Sequence, residues 1–163
     1  MESDLKEVFP LIYRPVGEVV VTWAMVERIL TVSIGIIYHD ARGSEVCERL
    51  PFGLTDKIKF VRLCLRQMQP LQGLQPEFGP LLVEAKRLAD VRNYLVHGAV
   101  MDWDKETGTV EFVKFDPKDG HYQNSKRRFT MGELAQAADD SIILAGAIGN
   151  LTQRLAHAFM REY

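Results

Sequence analysis

The residues of this chain best suited to chemistry are Arg92, Asn93 and His97, in the stretch Arg-Asn-Tyr-Leu-Val-His. A guanidinium binds phosphate oxygens through paired N–H groups, and an imidazole takes or gives a proton near neutral pH. Helical spacing puts Arg92 in the middle of an apolar stripe, where a permanent charge is unexpected. His97 falls at the predicted end of the same helix, where its ring can be exposed. The pattern therefore indicates a phosphate-handling site.

The spacing within this stretch sets what the side chains can do together. Asn93 and His97 share one helix face, so the Asn93 amide can orient the His97 ring. Arg92 and His97 are separated by roughly 140° around an ideal helix, so a long arginine, a frayed last turn or a second subunit must bring them together. Two ordinary alternatives stay open: Arg92 can lift its head to solvent, and His97 can simply bind the last helix carbonyls.

Glu27 is a second charge inside a predicted apolar stripe, this time in the first helix. Because unpaired charges are seldom buried, we expect Glu27 to pair with Arg92 or His97 where the two helices pack. An unrelated ion pair at the surface is the alternative for Glu27.

Other charged and metal-binding patterns are sparse. The chain has one basic run, Lys126-Arg127-Arg128, which could guide RNA. Such a run more often guards a solvated edge strand, and we favour that interpretation. The two cysteines, Cys47 and Cys64, stand apart from any histidine set with metal-ligand spacing, so we expect no metal and no cofactor.

Helical periodicity predicts four long helices that must position these residues. Thr55 is a possible cap of the second helix, and Thr130 with Glu133 makes a capping box for the last. Pro10 and Pro15 indicate an irregular N-terminal arm. The predicted helices span residues 18–38, 56–68, 80–97 and 130–162, with a loop at 69–80.

Between the third and fourth helices the pattern alternates as in strands, at residues 99–103 and 109–115, with a turn-rich stretch and then a short third strand at 126–129. The sequence thus predicts a mainly α fold. It is a four-helix up-and-down bundle with a small β-hairpin inserted at about 99–130. A chain of 163 residues fits one domain, residues 1–163.

Composition favours a soluble protein. The chain is 47% apolar and 26% charged, and its net charge of −2 argues against a broad basic surface for duplex binding. The apolar stretch 19–38 carries Glu27 and Arg28 near its centre, which is costly in lipid, so we expect a buried helix and no membrane contact. The isolated cysteines and the lack of a signal-peptide pattern predict a reduced, cytoplasmic location.

The motif Arg92-Asn93-x-x-x-His97 in the third helix resembles the HEPN (higher eukaryotes and prokaryotes nucleotide-binding) domain. The first-helix stretch Trp23-Ala24-x-x-Glu27-x-x-Leu30, with Gly98 and Trp103 entering the hairpin, is similar to bacterial HEPN-like proteins. The resemblance covers the helical frame, and its specific motif is the stretch from Arg92 to His97.

The resemblance implies a metal-independent endoribonuclease acting as a homodimer on RNA. Arg92 and His97 would be catalytic, Asn93 and Glu27 supporting, and Lys126, Arg127 and Arg128 would be weak RNA contacts. The products would carry 2′,3′-cyclic phosphate ends. Such a protein could be a toxin or defence effector with an antitoxin or regulatory protein as partner. The alternative is a HEPN-like module that binds RNA or nucleotide, or dimerises, without cutting.

Overall fold

The computed structural model describes residues 2–160, with side chains described for residues 9–117 and 119–160. Within this range the fold is mainly helical with a small antiparallel sheet, as predicted. The helices are α1 (Glu2–Gly35), which continues as a π-helical turn at Ile36–Asp40, α2 (Leu54–Gln67), α3 (Gln69–Gln72), α4 (Gln75–His97) and α5 (Met131–Phe159). The strands are β1 (Ala99–Asp104), β2 (Thr109–Lys118) and β3 (His121–Thr130).

The N-terminal arm is helical, so the prediction of an irregular segment around Pro10 and Pro15 is wrong. Each proline removes one backbone donor, a cost that normally ends a helix. Here the apolar side of this segment is buried: Ile12 is 3% and Val19 is 1% exposed. Tertiary packing therefore outweighs the lost hydrogen bonds.

The predicted loop at 69–80 is also wrong, because it contains α3 and the start of α4. Pro70 and Pro76 occupy the first turns of these helices, where the missing N–H has no intrahelical partner in any case. Gly53 precedes α2 without a side-chain cap, so Thr55 lies inside that helix and does not cap it. The predicted end of the last helix at residue 162 lies outside the described residues.

The sheet fills the predicted position between α4 and α5 but has three full strands in the order β1-β2-β3. Strands β2 and β3 are joined by Asp119 and Gly120, with φ angles of 50° and 78°. Two successive positive φ angles form the type I′ turn that suits tight hairpins. The stretch predicted only as turn-rich is therefore the centre of a long hairpin.

The described chain divides into two compact units. The first contains the residues up to Trp23 together with Leu88–Ser141, and its buried residues include Trp23, Leu95 and Phe112. The second contains Ala24–Arg87 together with the residues from Ile142 onward. Its core is built from α1, α2, α4 and α5 and includes Leu30, Ile34, Val61, Cys64, Phe78, Leu82, Leu151 and Leu155.

One helical stretch, Phe9–Asp40, is long and apolar enough to cross a membrane by length and composition alone, and 44% of its most apolar window is buried inside the protein. Core helices of soluble proteins meet the same criterion. Thr31, Glu27 and Arg28 lie exposed along this stretch. The helix is therefore consistent with a soluble protein.

Candidate functional site

His97 is the last residue of α4, as predicted, and its side chain is exposed. The Gly98 N–H closes the final turn by donating to the Tyr94 carbonyl at 2.9 Å. A Cβ at Gly98 would collide with that same carbonyl oxygen, so the chain needs glycine to turn from the helix into β1. Among the side chains described, residues 9–117 and 119–160, the His97 ring has no hydrogen-bond partner, which leaves both ring nitrogens available to a ligand.

Arg92 is half-buried one and a half turns before His97. Its Nη1 donates to Asn93 Oδ1 at 3.2 Å, while its Nε is buried and has no hydrogen-bond partner in the described chain. The predicted contact between Asn93 and the His97 ring is thus replaced by one between Asn93 and Arg92. A buried guanidinium donor without an acceptor is costly, and an anionic ligand oxygen is the kind of group that would satisfy it.

Tyr94 stands between Arg92 and His97 in the sequence, and its ring contacts two cations and the Phe129 ring. The Lys114 Nζ lies 5.1 Å and the Arg127 guanidinium carbon 5.9 Å from the centre of the Tyr94 ring. Phe129 meets Tyr94 edge to face with ring centres 6.4 Å apart, and Arg127 covers the Phe129 ring at 4.7 Å. The end of α4 is therefore bordered by positive charge from β2 and β3.

Sequence reasoning missed Tyr94 and Lys114. The signal was available, because strand alternation places Lys114 on the same face of β2 as Val110 and Phe112, both buried. A lysine that continues an apolar strand face needs a partner, and here it has the Tyr94 ring and an ion pair with Asp116 at 3.0 Å. Periodicity within α4 does not indicate which strand packs against the motif.

The basic run on β3 divides between the two faces of the sheet. Lys126 and Arg128 reach the Glu111 carboxylate at 3.2 and 3.1 Å. These hydrogen bonds, first from Arg128 and then from Lys126, lower the pKa of Glu111 below its ordinary value. Arg128 also lies 3.5 Å from Asp102 on β1. Two of the three predicted RNA contacts are thus neutralised within the sheet, and Arg127 alone turns toward the Tyr94 side.

Glu27 is exposed, although its position in the apolar stripe predicted burial. Val19, Val26 and Leu30 are buried, so the apolar stripe of α1 is centred on these positions. Glu27 therefore lies at the edge of the stripe. Glu27 belongs to the second unit, whereas Arg92 and His97 belong to the first. The pairing of Glu27 with either residue stays a prediction.

The end of α4 therefore presents an exposed imidazole, a half-buried guanidinium with an unfilled donor and two further cations around one tyrosine. The guanidinium can hold an anion and the imidazole can move a proton. Among the described side chains, no hydrogen bond or ion pair joins Arg92 to His97. Within the described residues, no three His, Cys, Asp or Glu side chains come together as metal ligands would.

In comparisons with known proteins, no family model, curated protein or solved structure matches this chain significantly.

Proposed function

We propose that the protein is a HEPN-type endoribonuclease that cleaves RNA at the end of α4 without a metal ion. The observation that carries this proposal is the unpartnered, buried Nε of Arg92 five positions before an exposed, unpartnered His97. A purely structural arginine would have its donors satisfied, because burying them unpaired costs free energy. A phosphate oxygen would supply the missing acceptor.

The chemistry follows from these groups. His97 takes the proton of the RNA 2′-hydroxyl, whose oxygen then forms a bond to the adjacent phosphorus. Arg92 holds the non-bridging oxygens as negative charge builds on them. The bond from phosphorus to the 5′-oxygen breaks, and that oxygen receives a proton from a second acid. The products are a 2′,3′-cyclic phosphate and a 5′-hydroxyl, and DNA resists because it lacks the attacking group.

The second acid would be the same histidine of a second copy, so we propose a homodimer. The support comes from α1 and α5 within the second unit. There Val32, Ile142 and Ile143 are 50%, 51% and 69% exposed. Gly149, which lines a groove with Val32, has open space at its Cβ position. Exposed apolar surface of this kind marks interaction sites in soluble proteins. A second copy would bury it.

The same proposal includes a four-helix bundle of the HEPN type, a cytoplasmic location and a role as a toxin or defence effector. In that role an antitoxin or regulatory protein would hold the nuclease inactive. Any assay must therefore use protein purified free of a bound inhibitor.

Cleavage of a labelled single-stranded RNA in EDTA tests the activity. We expect wild type to cut, with cyclic phosphate on the products, and to leave the matching DNA intact. His97→Ala and Arg92→Ala should each lower the rate by at least about 10², the usual yield of a positioned acid–base or charge-stabilising group. His121→Ala, which removes another exposed histidine on β3, is the matched control and should cut normally.

A wild-type protein that binds the RNA but does not cut it would replace the nuclease with the second candidate, a HEPN-like RNA-binding module. The cations around Tyr94 favour that candidate, since they need no catalytic histidine. Binding would then depend on Arg127 and Lys114 and be indifferent to His97→Ala.

A further inference from the structure

A cleft of about 590 Å³ lies in the second unit between the segment around Leu50 and Phe52 and the outer face of α2. Its size falls in the range typical of small-molecule sites, roughly 300–1,000 Å³. Nothing in the proposed nuclease uses it, because Arg92 and His97 belong to the first unit.

The polar groups of this cleft are almost all cationic. Arg49, Arg62, Arg66 and Lys59 border it, against a single carboxylate, Asp56. Lys59 lies 3.7 Å from Asp56. The three arginines have no ion-pair partner within the described chain. The cleft therefore carries three uncompensated guanidinium groups, the side chain best shaped for carboxylate and phosphate.

The floor and one wall are apolar. The floor includes Cys47, Phe60 and Leu63, and Phe60 is buried. On the wall Phe52 is 96% and Leu50 is 52% exposed, so a large aromatic face is open to a ligand. The residues lining the floor include no asparagine or glutamine. The polar edge of a nucleobase buried there would lose its hydrogen bonds to water, whereas a plain aromatic ring has none to lose.

The segment that leads into this wall, residues 43–49, is anchored by its own contacts. The Tyr38 hydroxyl donates to the Glu48 carbonyl at 2.6 Å, and the Cys47 thiol contacts the Arg49 carbonyl at 3.3 Å. Gly43 approaches the Ile37 carbonyl so closely that a side chain there would not fit. A preformed wall lowers the ordering cost of binding.

We propose that this cleft binds an organic anion whose charged group is a phosphate or carboxylate and whose body is a flat apolar ring. The arginines hold the anion, and Phe52 and the floor cover the ring. The inference is independent of the proposed nuclease, since it uses none of the residues at the end of α4.

Protection of Cys47 from iodoacetamide tests it, because Cys47 lines the cleft and Cys64, the other cysteine, is fully buried. The readout is the ratio of the Cys47 alkylation rates with and without probe, measured by mass spectrometry. The probes are phenyl phosphate, benzoate, inorganic phosphate, benzyl alcohol and adenosine monophosphate. Phenyl phosphate and benzoate distinguish the two anion classes.

We expect saturable protection by phenyl phosphate or benzoate at about 1 mM, with benzyl alcohol, inorganic phosphate and the nucleotide at least about tenfold weaker. The double variant Arg62→Ala, Arg66→Ala should weaken protection about tenfold, and so should Phe52→Ser. These side chains are exposed, so folding is retained. The double variant Arg14→Ala, Lys86→Ala removes two charges elsewhere and should behave as wild type.

Equal protection by phenyl phosphate and inorganic phosphate would overturn the proposal, because the ring would then contribute nothing. So would binding that survives both cleft variants. Stronger protection by a single-stranded RNA through the same arginines, with no competition from phenyl phosphate, would instead make the cleft an RNA groove.

Discussion

Arg92 combines a cost in stability with a suitable position for chemistry. Its Nη1 is held by Asn93, whereas its buried Nε has no acceptor in the described chain. A buried donor without a partner costs about 1–3 kcal/mol. Native proteins keep such costs mainly where function requires them, because nothing else selects for an unsatisfied charge.

Arg92→Met removes the donors but keeps a stem of similar shape. We expect the free energy of unfolding to rise by about 1 kcal/mol, because the desolvation cost disappears. Urea unfolding followed by circular dichroism measures it. Lys86→Met, an exposed change on the same helix, should stay within about 0.5 kcal/mol of wild type. Destabilisation by Arg92→Met would assign the arginine a structural role and weaken the nuclease proposal.

The Cys64 thiol is a buried group whose pKa is shifted by its surroundings. Burial, with a smaller contribution from Cys47, raises the pKa of Cys64 from 9.0 to about 11. The folded protein therefore keeps this proton at pH values where the unfolded chain has lost it. The free energy of unfolding must then fall as the pH rises from the lower of these two pKa values to the higher.

We expect wild type to lose on the order of 2 kcal/mol of stability across that alkaline window, and Cys64→Ala to lose less. The quantity compared is the slope of the free energy of unfolding against pH. Absolute stabilities are not compared, because the alanine variant also leaves a small cavity. Urea unfolding under reducing conditions provides both slopes. Parallel slopes would mean that Cys64 keeps an ordinary pKa in the folded state.

Among the elements, the hairpin of β2 and β3 depends most on a few local residues. Its turn places Asp119 and Gly120 in the left-handed region, and the Thr130–Glu133 capping box then starts α5 directly after β3. Arg127 and Lys114 lie on this hairpin and contact the Tyr94 ring near the end of α4. The hairpin therefore supplies both cations that contact Tyr94.

Gly120→Ala should destabilise the protein by about 1–2 kcal/mol, because alanine is strained at a φ of 78°. Gly17→Ala is the matched opposite case. Gly17 is an exposed helical position with open space around its Cα, so alanine there should stabilise by about 0.5–1 kcal/mol. Thermal unfolding of both variants checks the signs, and a neutral Gly120→Ala would mean that the turn relaxes to another type.

At the scale of the whole molecule, α1 and α5 expose apolar side chains in the second unit, namely Val32, Ile142 and Ile143. Val32 borders a groove that also includes Ile29, Ile36 and Met160. The proposed nuclease has one catalytic histidine per chain, so its two-histidine mechanism needs a second copy, and we propose that this surface supplies the contact.

Ile143→Glu should convert a dimer into a monomer, because Ile143 is the most exposed of these three apolar side chains and a charge there opposes burial against a second copy. Light scattering at micromolar concentration measures the mass, and RNA cleavage should fall in parallel. Val83→Glu, at a residue 59% exposed on α4, is the control and should stay dimeric. Wild-type protein that is monomeric at working concentration would remove both the dimer and the two-histidine mechanism.

Local signals in the sequence determined the helix end at His97, the capping box at Thr130 and the position of the sheet, since each depends on residues within one or two turns of each other. The Asp119-Gly120 pair is an equally local turn signal, although the sequence-based prediction described this stretch only as turn-rich. The helical N-terminal arm could not be predicted, because burial of Ile12 outweighs two prolines.

The features of the candidate site likewise divide into those determined by the sequence and those decided by the tertiary structure. The order Arg92, Asn93, His97 along one helix is a property of the sequence, and so is the family resemblance that it carries. The tertiary structure alone decided three further features. Asn93 takes Arg92 as its partner, Arg92 Nε is left without an acceptor, and Lys114 and Arg127 contact the Tyr94 ring. The contacts of Lys114 and Arg127 with Tyr94 join residues far apart in the chain, and periodicity within one element has no information about which strand packs against which helix. Arg92 and Asn93 are neighbours in the chain, but their contact depends on side-chain conformations that periodicity does not give.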